Sequence, residues 1–290
     1  MTIFNLGSIN ADLVYRVPHL PAAGETLAAA SVDRGLGGKG ANMSVAASRA
    51  AARVVHIGAV GQDGKWAAER MLEYGVDTRH ISTVAEATGH AVILLDPEGE
   101  NSIVLYPGAN AAIADSAVAA ALAEAGDGDL FVTQNETNGQ VAAAHAASAA
   151  GMRVAYAAAP FDADAVAAVL PVLDLLVLNA VEAAQLETAL GKAADQLGVA
   201  DVVVTRGGDG CDWYAADRGE VTHFDALPVE PVDTTGAGDT FTGYLLAGLD
   251  RGMPMAQAIG LATRAAALMV TRVGTADVIP DLLEVQGMPR

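Results

Sequence analysis

Cysteine is almost absent: Cys211 is the only one in 290 residues. No intrachain disulfide can form, which fits a reducing, cytoplasmic setting. Aromatic residues make up 4% of the chain against 52% apolar residues overall, so its packing must be aliphatic and rich in alanine. Positive charge is scarce as well, 16 Lys and Arg against 35 Asp and Glu, for a formal charge of −19. A field of that sign repels nucleic acid and anionic lipid, and neither is expected as a partner. A bound nucleotide would need local amides and a metal to offset the repulsion. No apolar run reaches the roughly 20 residues of a membrane span, and Met1 to Gly7 lacks the basic lead and apolar core of a signal peptide. A soluble, cytoplasmic protein is the expectation. There is no G-x-x-x-x-G-K-[ST] phosphate loop and no protein-kinase signature set, and the histidines show no metal-ligand spacing.

What is present centres on Pro231-Val232-Asp233-Thr234-Thr235-Gly236-Ala237-Gly238-Asp239-Thr240-Phe241. Loop-forming residues precede this run, and apolar residues at spacings of three and four follow it, so Gly236, Ala237 and Gly238 lie where a loop enters a helix. Small residues there admit a ligand close to the backbone. The first free N–H groups of a helix, with the positive end of its dipole, suit an anion, phosphate by preference. Asp239 directly after them is either an ordinary helix cap or a base beside an anion hole. The combination suggests phosphoryl transfer to an alcohol.

Several other stretches place polar residues at strand ends, where open α/β sheets bind ligands. Ile3 to Gly7 reads as a strand, with Asn10 and Asp12 just beyond it, as ligands or as turn residues satisfying their own backbone. Gly35, Gly37 and Gly40 match G-x-G-x-x-G mechanically. The polar Ser31 to Arg34 before them, and the lack of an acidic strand end afterwards, argue against a nicotinamide site. These glycines instead bring Gly38, Lys39 and Asn42 against a small polyol. Glu136 follows the strand Leu130 to Thr133, as a ligand or a cap. Asn179 and Glu182 have the spacing of a capping box, and Thr205, Gly207 and Gly210 read by themselves as a glycine loop. Ala91 to Asp96 and Ser102 to Tyr106 read as a hairpin, and Leu13 to Val17 with Leu27 to Arg34 as a possible strand pair.

Together, Gly37-Gly38-Lys39-Gly40-Ala41-Asn42 and the Asp233-to-Asp239 run resemble the ribokinase branch of the PfkB carbohydrate kinases. Gly7 to Asp12, Pro21 to Thr26, Glu98 to Asn101 and Gly108-Ala109-Asn110 are similar too, so the resemblance spans nearly the whole chain. It implies a single kinase domain over residues 1–290, with a three-layer α/β/α core, a mainly parallel sheet and a small β-sheet lid. The lid strands would fall at roughly 12–36 and 88–107. It further implies ATP-dependent phosphorylation of D-ribose. Asp239 would be the base, the Gly236, Ala237 and Gly238 amides the anion hole, and Asn10, Asp12, Gly38, Lys39, Asn42 and Glu136 the sugar ligands. Asn179, Thr205, Gly207, Gly210 and Gly238 would lie along the nucleotide, with Glu182 near Mg²⁺. A monovalent cation, K⁺, would sit among Asp233, Thr235 and the carbonyls of Met269, Arg272 and Gly274. A homodimer through the lid is implied as well. The alternatives are a kinase for another pentose or a nucleoside, and a non-catalytic sugar- or nucleotide-binding regulator. The sequence departs from the family pattern at Ala51, Trp66, Ala157-Ala158, Ala180-Val181, Tyr244 and Val278.

Overall fold

Short apolar runs separated by turns and helices become strands in this chain. In a computed structural model, which describes residues 1–288, they are β1 (Ile3–Leu6), β2 (Asn10–Arg16), β3 (Ser31–Gly37), β4 (Val54–Val60), β5 (Asp77–Thr83), β6 (Gly89–Leu95) and β7 (Asn101–Tyr106), followed by β8 (Leu130–Thr133), β9 (Arg153–Ala157), β10 (Leu175–Asn179), β11 (Asp201–Thr205), β12 (Cys211–Ala215) and β13 (Glu220–Phe224). Nine of them form one sheet in the order β13-β12-β11-β10-β9-β8-β1-β4-β5. Pairing is parallel from β11 to β5, and only β12 and β13 add antiparallel strands at one edge. Parallel strands need both faces covered, and neighbouring residues here divide between two cores. Ile3, Val132, Leu175 and Val203 face one; Phe4, Phe131, Leu176 and Val202 face the other. The three-layer α/β/α core expected from the sequence is therefore present.

The second sheet has four strands in the order β3-β2-β6-β7. Asn10 and Asp12 lie within β2, not in a turn past β1, because β2 pairs with β3 from Asn10↔Gly37 to Arg16↔Ser31. Leu27 to Ala30 lie outside any strand. The hairpin is β6 and β7, antiparallel from His90↔Tyr106 to Leu95↔Asn101. Its outer strand is exposed along its whole length.

The poverty in aromatics has a geometric consequence. The helix Lys39–Arg49 packs on the helix Ala237–Asp250 so closely that a Cβ at Gly243 would lie 2.5 Å from Ala46 Cβ and 2.6 Å from the Met43 carbonyl. A Cβ at Gly248 would lie 2.8 Å from Ala258 Cβ, in the helix Met255–Met269. One of at Gly40 would lie 2.4 Å from Gly7 Cα, which brings the first helix onto the end of β1. Overpacking at such contacts costs about 1–3 kcal/mol. Tyr244 is the bulky exception: fully buried, it gives its hydroxyl to the Pro280 carbonyl at 2.6 Å. No helix among the described residues is long and apolar enough to cross a membrane.

Candidate active site

The carboxyl ends of the parallel strands open on one edge of the core, and the polar residues singled out in the sequence collect there. Asn179 and Thr205 end β10 and β11 as register partners. Beyond β8, Glu136 accepts hydrogen bonds from the Ser8 hydroxyl and, at 3.0 Å, from the Lys39 amide. Gly38 precedes the helix Lys39–Arg49 with φ 92°, and a Cβ there would meet the Asn10 nitrogen at 3.0 Å. Glycine is required on both counts.

Asp239 sits in the first turn of the helix Ala237–Asp250, buried, and its Oδ2 accepts from Asn42 Nδ2 at 2.9 Å. Burial pushes its carboxyl up to about 6, against the pull of the Lys39 ammonium and the Asn42 hydrogen bond. Burial, then the Glu136 and Asp239 carboxylates, push Asp12 up to about 7. Burial disfavours the Lys39 ammonium, but Asp239, Glu136, Glu182 and Asp12 more than offset it and hold its pKa above the usual lysine value. One half-buried cation thus faces four carboxylates drawn from separate parts of the chain. Titratable groups perturbed by burial and by specific charge partners are a mark of functional sites.

The loop before Asp239 is held by its own backbone. Gly236 takes φ 76° as the helix cap, and its carbonyl accepts the Thr240 amide at 2.8 Å. The Ala237 amide donates to the Thr234 carbonyl at 3.2 Å. The Gly236, Gly238 and Asp239 amides have no such partner among the described residues. Asp233 braces this loop from behind: Oδ1 accepts from the Thr235 amide at 2.9 Å and Oδ2 from the Gly274 amide at 3.1 Å. The Met269 carbonyl accepts the Arg272 amide at 2.9 Å, whereas those of Arg272 and Gly274 accept none among the described residues.

On the other side, Asn179 and Glu182 form the capping box: Asn179 Oδ1 accepts from the Glu182 amide at 2.9 Å, and Glu182 Oε2 from the Asn179 amide at 2.8 Å. Burial raises the Glu182 pKa. Gly207 (φ 57°) and Gly210 (φ 89°) bound a tight turn between β11 and β12. A Cβ at Gly210 would lie 1.9 Å from the Phe224 carbonyl. Among the described residues no three acidic, histidine or cysteine side chains cluster as a metal cage.

Two residues quoted only as parts of motifs hold this site together. Asn110 donates to Asn10 Oδ1 at 2.7 Å and accepts from the Ile9 amide at 2.9 Å. The Ser8 hydroxyl joins Glu136 to the Gly40 amide, which donates to it at 3.2 Å. Both lie in Gly-, Ser- or Asn-containing stretches at the ends of strands, and that position was the only local signal of a role.

A buried carboxylate at a helix entrance, a lysine among carboxylates and glycine loops at adjoining strand ends are the parts expected of an α/β carbohydrate kinase. Comparison with known proteins agrees: the description "pfkB family carbohydrate kinase" matches residues 2–282, and the chain belongs to that family. It is 34% identical over 297 residues to the ribokinase of Haemophilus influenzae, covering 98% of this chain and 96% of that one. It is 33% identical to the ribokinase of Staphylococcus aureus, covering 97% of each. Among solved structures it superposes on Arabidopsis thaliana ribokinase complexed with ribose and ATP with a TM-score of 0.86, at 28% identity, covering 99% of each chain. Cryptococcus neoformans ribokinase in complex with ADP gives a TM-score of 0.84 at 30% identity, covering 98% of each. A Burkholderia thailandensis nucleoside kinase shares the fold, with a TM-score of 0.85 at 22% identity, covering 98% of this chain and 94% of that one.

Proposed function

We propose that this chain transfers the terminal phosphoryl group of ATP to D-ribose, giving ribose 5-phosphate. The observation that carries the reading is the junction of Asp239 with Asn42 and Lys39 at a helix entrance, together with full-length likeness to ribokinases. Asn10, Asp12, Gly38, Lys39, Asn42 and Glu136 hold the sugar, whose hydroxyls pair with a polar set that offers few aromatic faces to a nucleoside base. Asp239 takes the hydroxyl proton as it leaves in the transition state, a contribution of about 10²–10⁴-fold. The remaining acceleration comes from positioning and charge stabilisation. The Gly236 and Gly238 amides and the helix dipole serve the phosphoryl oxygens, while the Ala237 amide keeps the turn through Thr234. Asn179, Thr205, Gly207 and Gly210 line the nucleotide.

Mg²⁺ keeps most of its waters and leans on phosphates, with one or two carboxylates. One half-buried Glu182 with an oxygen left over from its cap fits that demand. When bound, the ion neutralises phosphate charge. K⁺ fits the loop of Asp233, Thr235, Met269, Arg272 and Gly274, where two carbonyls have no partner. The exposed β7 residues Ile103, Val104 and Leu105, at 51%, 65% and 60% exposure, suit pairing with a second copy. Such an edge makes the protein a homodimer through the smaller sheet, which closes over the sugar as a lid.

The test is ADP release over a panel of pentoses, hexoses and nucleosides, with and without Mg²⁺ and K⁺. Ribose should give the highest kcat/KM. A higher value for a nucleoside would overturn the ribose assignment while leaving the family intact.

A further inference from the structure

Thr275 belongs to no stretch assigned above, yet it ties two parts of the site together. It follows Gly274, whose amide is held by Asp233. Its hydroxyl donates to the Leu36 carbonyl at 2.7 Å, across a sequence separation of 239. Leu36 precedes Gly37 at the end of β3, and there the backbone passes directly under a carboxylate. A Cβ at Gly37 would lie 2.1 Å from Asp12 Oδ2 and 2.3 Å from Asp12 Cγ. The same Thr275 hydroxyl faces the Asp12 carboxylate and is among the groups that favour its charged form. Most of what surrounds Asp12 does the reverse, since Glu136 and Asp239 repel its charge and Lys39 is the one cation in the cluster. The single hydroxyl proton goes to the Leu36 carbonyl, so this short, β-branched side chain acts on the carboxylate through the backbone it holds and adds no charge to compete for Lys39.

We propose that Thr275 is a positioning residue for sugar binding: its hydroxyl clamps the end of β3 to the loop after Asp233 and so holds Asp12 where the sugar meets it. The inference rests on the sugar-kinase reading above. It makes the loop at Asp233–Gly274 a support for the sugar pocket as well as for the phosphate side. It also assigns the contact to the side chain, because no main-chain hydrogen bond joins Thr275 to β3 among the described residues.

The test replaces the hydroxyl by a methyl group of nearly the same shape, Thr275→Val, with Thr275→Ser as the conservative partner. Steady-state kinetics with D-ribose and ATP, and calorimetric titration of D-ribose without nucleotide, read the effect. Loss of one partly buried hydrogen bond predicts about a tenfold rise in ribose KM and Kd for Thr275→Val. The ATP KM should stay within about twofold, and Thr275→Ser should return to near wild type. If Thr275→Val does not fold by its melting curve, Thr275→Ala takes its place with the same expectation. Ribose binding unchanged in the folded variant overturns the proposal. So does a parallel rise in the ATP KM, or a Ser variant as weak as Val, because each marks a general structural role. A wild-type protein that phosphorylates no pentose defeats the sugar-kinase reading itself, before any variant is compared.

Discussion

Asn42 and Asp239 are 197 positions apart in the chain, and Asn42 Nδ2 donates to Asp239 Oδ2 at 2.9 Å in a buried setting. The bond can exist only because two helices lie almost backbone to backbone at Gly243 and Ala46. It fixes one oxygen of the carboxylate. The second polar atom of Asn42, Oδ1, is buried without a partner among the described residues.

Replacing Asp239 by Asn removes the proposed base and keeps the shape. The expected outcome is a loss of at least about a hundredfold in kcat, with the KM values for sugar and nucleotide within a few fold. Measured kcat within about tenfold of wild type would mean that another group takes the proton.

The pH dependence of turnover follows from two acids. In the proposed reaction Asp12, near 7, and Asp239, near 6, act in their ionised forms; both are raised mainly by burial. Activity should therefore fall as pH drops through about 7 and then 6. The two are coupled, so the limb in kcat/KM belongs to the cluster as a whole. A profile in kcat/KM for ribose that stays flat down to about pH 5 would contradict it.

Ala51 stands where the family commonly has glycine, and it has φ 65°, the sole non-glycine residue at positive φ among those described. It is the residue after the cap of the helix Lys39–Arg49, in a motif closed by Ala52 N to the Ala47 carbonyl at 3.0 Å and Ala51 N to the Ser48 carbonyl at 2.8 Å. A left-handed alanine costs about 1–2 kcal/mol, partly offset by its lower entropy in the unfolded chain. Ala51→Gly should stabilise the protein by about 0.5–1 kcal/mol in urea melts, with kinetic constants unchanged. A destabilised variant would show that the strain is absent in solution.

His56 is fully buried. Its Nε2–H donates to the Gly7 carbonyl at 3.0 Å, and Nδ1 accepts from the Ser44 hydroxyl at 2.8 Å. Burial lowers its pKa to about 4, while the Gly7 bond pulls the other way. The unfolded chain takes up this proton near 6.5 and the folded one only near 4. The stabilisation is thus complete above about 6.5 and is lost as pH falls toward 4, by about 3 kcal/mol in all. Urea melts of wild type and His56→Gln across this range should converge as pH falls. A constant difference between them would show that the ring is not kept neutral.

Much of this was legible in the linear chain. Continuous apolar runs such as Leu130 to Thr133 announced strands, because burial on two faces leaves a pattern in the residues themselves, and the family resemblance implied the α/β/α core they build. Gly236 to Asp239 announced a helix entrance, because small residues and an acid ahead of residues apolar at spacings of three and four mark one. The roles of Ser8, Asn110 and Thr275 were not legible. Each depends on a partner dozens to hundreds of residues away, and a serine, asparagine or threonine in a loop has the same local appearance whether or not that partner exists. Asn10 and Asp12 were read as lying past a strand end, and it took the register with Gly37 and Gly35 to place them inside β2.

By itself the sequence determined the kind of chemistry, since a carboxylate beside free helix amides is set by neighbours along the chain. Tertiary structure alone decided how that chemistry is assembled. Close helix contact brings Asn42 to Asp239, and the charges of Asp12, Glu136 and Glu182 meet around Lys39. Burial then raises the proton affinities of Asp12, Glu182 and Asp239, because desolvation and Coulomb interaction depend on distance in space and leave no trace in sequence order.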